Sequence, residues 1–152
     1  LFLACVRHSL ELLDATLREA VPDGADAETS IRALVPALIA AARQHGNYNV
    51  LYNEITSGSC RDFAPELARE IESRTAQLYT RLFEAAKEAG ALAPGLAPEA
   101  AAFFFDNLLM MLQFSYSCDY YQHRMRLYCG ENAAWSDEMM AEQLTHFILG
   151  CI

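Results

Sequence analysis

Apolar residues recur every three or four positions along most of this chain, a spacing that predicts helices and no strands. From Leu1 to about Ala20, Phe2, Val6, Leu10, Leu13 and Leu17 form one stripe, with Arg7, Glu11 and Arg18 off it. VPDGAD at 21–26 ends that helix through its Pro and Gly. A second helix runs from about Asp26 to His45 through Ile31, Leu34, Val35, Leu38, Ile39 and Ala42, and stops at Gly46. Pro36 lacks a backbone donor and crowds the preceding turn, so a kink or a fresh helix start is expected there.

Asn47 is the expected N-cap of a short helix with Tyr48, Leu51, Tyr52 and Ile55 on one face, broken by TSGS at 56–59. In the next, FAPELAREIESRTAQLYTRLFEAAKEAG, Pro65 suits the first helical position, Glu66 complements the helix dipole and Gly90 suits the C-terminal cap. Its stripe is Leu67, Ile71, Leu78, Leu82 and Ala85, while Glu70 and Arg74 are spaced for an ion pair on its solvent side. LAPEAAAFFFD restarts a helix with the same Ala-Pro-Glu device, but the residues that follow do not match, so no helical repeat is read.

From Pro98 one uninterrupted helix is expected to Cys129, before Gly130, spanning more than about 40 Å. One of its rows takes Ala100, Phe104, Asn107, Met111, Phe114, Cys118, Tyr121 and Met125; another takes Phe105, Leu109, Leu112, Tyr116, Tyr120 and Leu127. The last helix follows Ser136 as N-cap, with Asp137 and Glu138 in its first turn. Its wider face is Met140, Leu144, Phe147, Ile148 and Cys151; its second, Met139, Gln143, His146 and Gly150, has the mixed polarity of a contact between subunits. A helix apolar on both faces finds too few neighbours in a six-helix domain, so one face is expected to meet a second copy of the chain. The segment is no membrane span, because Asp106, Asn107 and Gln113 interrupt it and Asp119, His123, Arg124 and Arg126 follow closely.

The 152 residues suit one all-α domain, residues 1–152. A net charge of −9 repels phosphate backbones, so any DNA contact is expected from outside these residues. Five cysteines, at 5, 60, 118, 129 and 151, are odd in number and lack CxxC spacing, which fits reduced thiols in a cytoplasmic protein. No signal peptide is read at the start, where His8, Glu11 and Asp14 interrupt the apolar run. The chain lacks an initiating Met and opens inside a helix, so it is expected to be a fragment.

Catalytic and metal chemistry find little footing. His8 with Cys5, His123 with Asp119 and His146 with Glu142 give two ligands each, where zinc needs at least three plus water. SGS at 57–59 lacks the lysine of a phosphate loop, and Ser57 and Ser59 have no nearby His. No cofactor and no enzymatic activity are expected. The informative feature is a surplus of aromatics and Met on inward rows. Ordinary core packing accounts for any one of them. As a group, Tyr48, Tyr52, Ile55, Tyr79, Phe83, Phe104, Asn107, Met111 and Phe114 read as the lining of an apolar pocket between helices.

LFLACVRHSLELL, FAPELAREIESRTAQLYTRLFEAAKEAGALAPGLAPEAAAFFFDNLLMML and LTHFILGCI, in this order, resemble the C-terminal regulatory domain of TetR-family transcriptional repressors. That resemblance implies a bundle of about six helices dimerising through its last two, behind a helix-turn-helix absent from this chain. It further implies a small, mostly apolar effector that shifts the first helix and thereby alters DNA binding. Tyr116, Tyr120, Met139, Gln143, His146, Phe147 and Gly150 are the expected homodimer interface. Two alternatives stay open: a dimerising scaffold without a ligand, and a small helical-bundle enzyme whose only acid/base candidate is Asp106 with nearby tyrosines.

Overall fold

The computed structural model describes residues 2–22, 24–59, 64–131 and 136–150. Among them are seven α-helices and no strand: α1 (Phe2–Ala20), α2 (Ala27–Gln44), α3 (Gly46–Glu54), α4 (Ala64–Glu88), α5 (Pro98–Ser117), α6 (Asp119–Cys129) and α7 (Asp137–Leu149). A π-helical turn, Ile55–Ser59, follows α3. The fold is an all-α bundle.

Local chemistry sets most helix ends. The Asp26 carboxylate accepts the Thr29 N–H at 2.7 Å and starts α2; Ser136 caps α7 by accepting the Met139 N–H at 3.2 Å. Behind α4, Gly90 takes φ +70°, the left-handed conformation glycine adopts without a Cβ clash. Its N–H bonds Lys87 O at 3.0 Å and the Ala91 N–H bonds Ala86 O at 2.8 Å, a Schellman ending that satisfies carbonyls the helix leaves open.

Four expectations need correction. The helix expected over 98–129 is two helices, because Cys118 has extended backbone (φ −112°, ψ 128°), and this raises the count from six to seven. No Gly or Pro marks the break. Instead Ser117 and Cys118 are held against α3: Asn49 Nδ2 donates to Ser117 Oγ at 2.9 Å, and Cys118 is buried. Pro36 starts no new helix, since α2 continues through it with the proline on its exposed side. Asn47 is not a cap; His45 holds that position, without a side-chain bond. Glu70 and Arg74 do not pair with each other but reach α1, as Arg7 Nε–Glu70 Oε1 at 2.9 Å and Arg74 Nη1–Asp14 Oδ2 at 3.2 Å.

Burial follows α2. Ile31, Leu34, Val35, Leu38 and Ile39 are almost wholly inaccessible and meet Leu17 of α1, Tyr79 and Phe83 of α4, Phe105 and Leu109 of α5, and Ala141 and Ile148 of α7. Phe105 sits edge-on to Tyr79 at 4.8 Å and to Phe83 at 5.7 Å, contacts worth about 0.5–1.5 kcal/mol each beyond their buried area. On α7 the core face centres on Ala141, Thr145 and Ile148, and Phe147, expected on the inner face, is 63% exposed. Cys151 and Cys60 lie outside the described residues. A second, smaller cluster joins Val6 of α1 to Leu67 and Ile71 of α4, with Leu10, Leu51, Tyr52 and Ile55 packed on it.

Phe105 is the keystone of the larger cluster. Phe105→Ala is expected to lower the unfolding free energy by about 3–5 kcal/mol in urea titration, with the far-UV signal of the folded state retained.

Candidate functional site

Between the two apolar clusters lies a gap. It is a half-open cavity of about 100 Å³ bounded by α1, α2, α3 and the π-turn, with Ile71 of α4 and Gln113 of α5 completing it. Val6, Leu10, Tyr52, Ile55 and Ile71 belong to the small cluster or pack on it, while Leu13 and Leu38 belong to the large one. The cavity marks where the two cores fail to merge.

Its walls differ in how firmly they are held. α1 packs closely on α2 and is joined to α4 by the buried cluster of Val6 with Leu67 and Ile71 and by the two ion pairs just described, each partly exposed and worth at most about 1 kcal/mol. α3 is tied to the end of α5 by the Asn49–Ser117 bond and to α4 by the Tyr52 hydroxyl, which donates to Glu72 Oε1. Next to Ile55 the π-turn contains Gly58 at φ +96°, where the helical path breaks. A void of about 100 Å³ is smaller than the roughly 300–1,000 Å³ of a pocket for a larger ligand. Admitting one requires α1 or the π-turn to give way.

Of the residues singled out from the sequence, Tyr48, Tyr52 and Ile55 line this cavity. Phe114 stands behind it, buried, with its ring 5.6 Å from that of Tyr52. Tyr79 and Phe83 are in the large core around Phe105. The remaining three lie elsewhere on α5. Phe104 is 57% exposed, Asn107 lines a groove beside Glu72 and Glu99, and Met111 lines a trough between α5, α6 and α7. The α1 wall, Val6, Leu10 and Leu13, read as plain core stripe, and Gln113 read only as an interruption. Periodicity marks these as inward positions without showing that they face a void.

The apolar surface gathers on α5, α6 and α7. Tyr120 is 73% exposed and Leu127 and Met139 are exposed as well, while the exposed Leu108 and Tyr128 line a trough with Met111, Arg124, Met125, Met140 and Leu144. Gln143, His146 and Gly150 share the outer side of α7. Tyr116 has a partner within the subunit: the Arg43 guanidinium lies 4.2 Å over its ring and also binds Asp137, at 2.7 Å through Nη2. Burial, then the Asp137 charge, pushes the Tyr116 hydroxyl up to about 12.

Behind Tyr52, carboxylates crowd. Burial, then the neighbouring Glu72, pushes the Asp106 carboxyl up to about 6, and the same two causes raise Tyr52. Among the described residues no three His, Cys, Asp or Glu side chains converge as metal ligands would. His8 lies 3.6 Å from Glu11 and edge-on to Tyr48. Cys5 and Cys118 are free thiols, exposed and buried respectively. No helix among these residues is long and apolar enough to cross a membrane.

The chain matches no family model, no curated protein and no solved structure. Its own geometry therefore carries the functional argument.

The raised Asp106 carboxyl has a stability consequence of definite sign. Folded protein holds that proton to about pH 6 whereas the ordinary value is 3.8, so folding stability is lost as pH rises through this window. Asp106→Asn is expected to be more stable than wild type at pH 7.5, by up to about 3 kcal/mol, with the difference vanishing near pH 4. Urea titrations of both proteins across pH 4–8 check this.

Proposed function

We propose that this chain is the effector-binding and dimerisation domain of a TetR-like transcriptional regulator, cytoplasmic and without enzymatic activity, taking a small, mostly apolar ligand. The observation that carries this reading is the apolar gap under the middle of α1, bounded by tyrosines of α3. A ligand filling it presses on the middle of the one helix that, by the resemblance of the sequence, joins the DNA-reading module. For the DNA-binding equilibrium to move, the ligand must bind the DNA-incompetent arrangement more tightly than the competent one. A scaffold with no ligand would not need the gap.

Homodimerisation is the second part of the reading. Exposed apolar residues are frequent on α5, α6 and α7, where Leu108 and Tyr128 line a Met-rich trough together with Arg124, and large apolar patches are costly to leave in water. Tyr120, Met139, Gln143, His146, Phe147 and Gly150 would face the partner, with Tyr116 at the edge. DNA contact belongs to the helix-turn-helix outside this chain, in keeping with its charge of −9.

Asp106 supports a rival reading as a small helical-bundle enzyme, since a carboxyl raised toward neutral pH beside a second carboxylate suits acid/base work. Loss of a measured turnover in Asp106→Asn would favour it over the regulator.

Two outcomes are expected. In sedimentation equilibrium the chain is a dimer at micromolar concentration, and Tyr120→Glu combined with Met139→Glu yields a helical monomer; a wild-type monomer removes the dimer reading. In mobility-shift titrations of the protein carrying this domain behind its DNA-reading module, a ligand that raises the domain's melting temperature weakens operator binding about fivefold or more. Unchanged operator affinity with the gap filled removes the regulator mechanism.

A further inference from the structure

The charged fraction of this chain is 20%, yet no Asp, Glu, Lys or Arg lines the gap among the described residues. Most polar atoms on its wall are already engaged. Ser9 and Thr16 donate to carbonyls of their own helix, Val6 O at 2.7 Å and Leu12 O at 2.9 Å. Asn49 donates to Ser117, and the Tyr52 hydroxyl to Glu72. His45 and Tyr48 pack ring against ring at 5.9 Å, a contact that leaves the imidazole nitrogens and the Tyr48 hydroxyl without a hydrogen bond among the described residues. Gln113 stands on the α5 wall, apart from those stacked rings, and its side-chain amide has no hydrogen-bond partner among the described residues.

We infer that the occupant of this gap is a compact uncharged molecule, apolar except for one hydrogen-bonding group, and that the Gln113 amide selects that group. The inference rests on the effector-binding reading and narrows its ligand class. An anion entering the gap would shed water and meet no Lys or Arg on the wall, and Glu72 behind Tyr52 repels it. An ammonium finds no free carboxylate on the wall, because the Glu72 oxygen that faces Tyr52 already accepts its hydroxyl. An amide both donates and accepts, so Gln113 serves a phenol, an alcohol or a ketone alike. Leaving its amide unpaired against an apolar occupant forfeits a bond that water had supplied, and this produces the discrimination. The volume of about 100 Å³, below the roughly 150 Å³ of an apolar cavity that takes benzene, limits the occupant to a single ring, which its open side admits with a small outward shift of the wall.

Calorimetric titration of the chain with benzene, phenol and benzoate at pH 7.5 tests this. Phenol and benzene are expected to bind, with benzoate at least about tenfold weaker than phenol, from the cost of burying its charge. Gln113→Leu should weaken phenol about fivefold while leaving benzene within about twofold, the signature of one lost neutral hydrogen bond. Gln113→Met, closer in shape, should behave as Gln113→Leu does, and Leu13→Phe, which fills the gap, should remove both ligands. Benzoate binding as tightly as phenol, or a phenol-to-benzene ratio unchanged in both Gln113 variants, overturns this inference and leaves the pocket standing. Failure of both benzene and phenol to bind overturns the inference and the pocket together.

Discussion

Burial of α2 is the constraint on which the rest of the fold depends. Ile31, Leu34, Val35, Leu38 and Ile39 lie at or near zero exposure along one helix, and each fully buried aliphatic side chain contributes about 1.5–3 kcal/mol. To cover that stripe, α1, α3, α4, α5 and α7 all pack against α2. Its remaining face carries Arg32, Pro36, Ala40 and Arg43 and stays exposed, which is why a mid-helix proline is tolerated: it lies on the side where no neighbour needs the helix straight. Arg43, at the end of that face, fastens α7 through Asp137 and α5 through Tyr116.

One buried stripe does not close the whole interior. The large cluster is complete around Phe105, but Val6, Leu67 and Ile71 form a separate one, and α1 contributes to both, with Val6 in one and Leu17 in the other. Leu10 and Leu13 fall between those anchors and line the gap. Close packing is the norm in protein interiors, and a void forfeits dispersion contacts on its lining, so a gap retained beneath one helix is a cost that binding can recover. The Gly58 break in the π-turn borders that side, where α1 meets α4 through surface ion pairs as well as through buried Val6. An unfilled core directly beneath α1 gives an apolar ligand a means to act on that helix.

Much of the fold was legible because local chemistry declares itself. Ser136 as a cap, Gly90 as the left-handed ending and the α2 stripe are signals carried by single residues or a simple period. The break at Cys118 was not legible, since nothing local demands it; it depends on Asn49 and on the burial of Cys118 against α3, contacts distant in sequence. The same reason misplaced the ion pairs, as Glu70 and Arg74 are correctly spaced for each other but α1 offers each a partner. At the candidate site, periodicity picked inward positions and could not separate those facing atoms from those facing space. Hence Tyr52 and Tyr79, alike in the pattern, part company: one lines the gap and the other fills the core beside Phe105.

The central claim is that the space between the two clusters is a real, mostly apolar void beneath α1. Crystals of the chain pressurised with xenon test it most directly, because xenon enters apolar cavities that water leaves empty. The account predicts a xenon peak bounded by Leu13, Leu38 and Leu51. A continuous core at that place, or a chain of ordered waters there with no xenon bound, would contradict it.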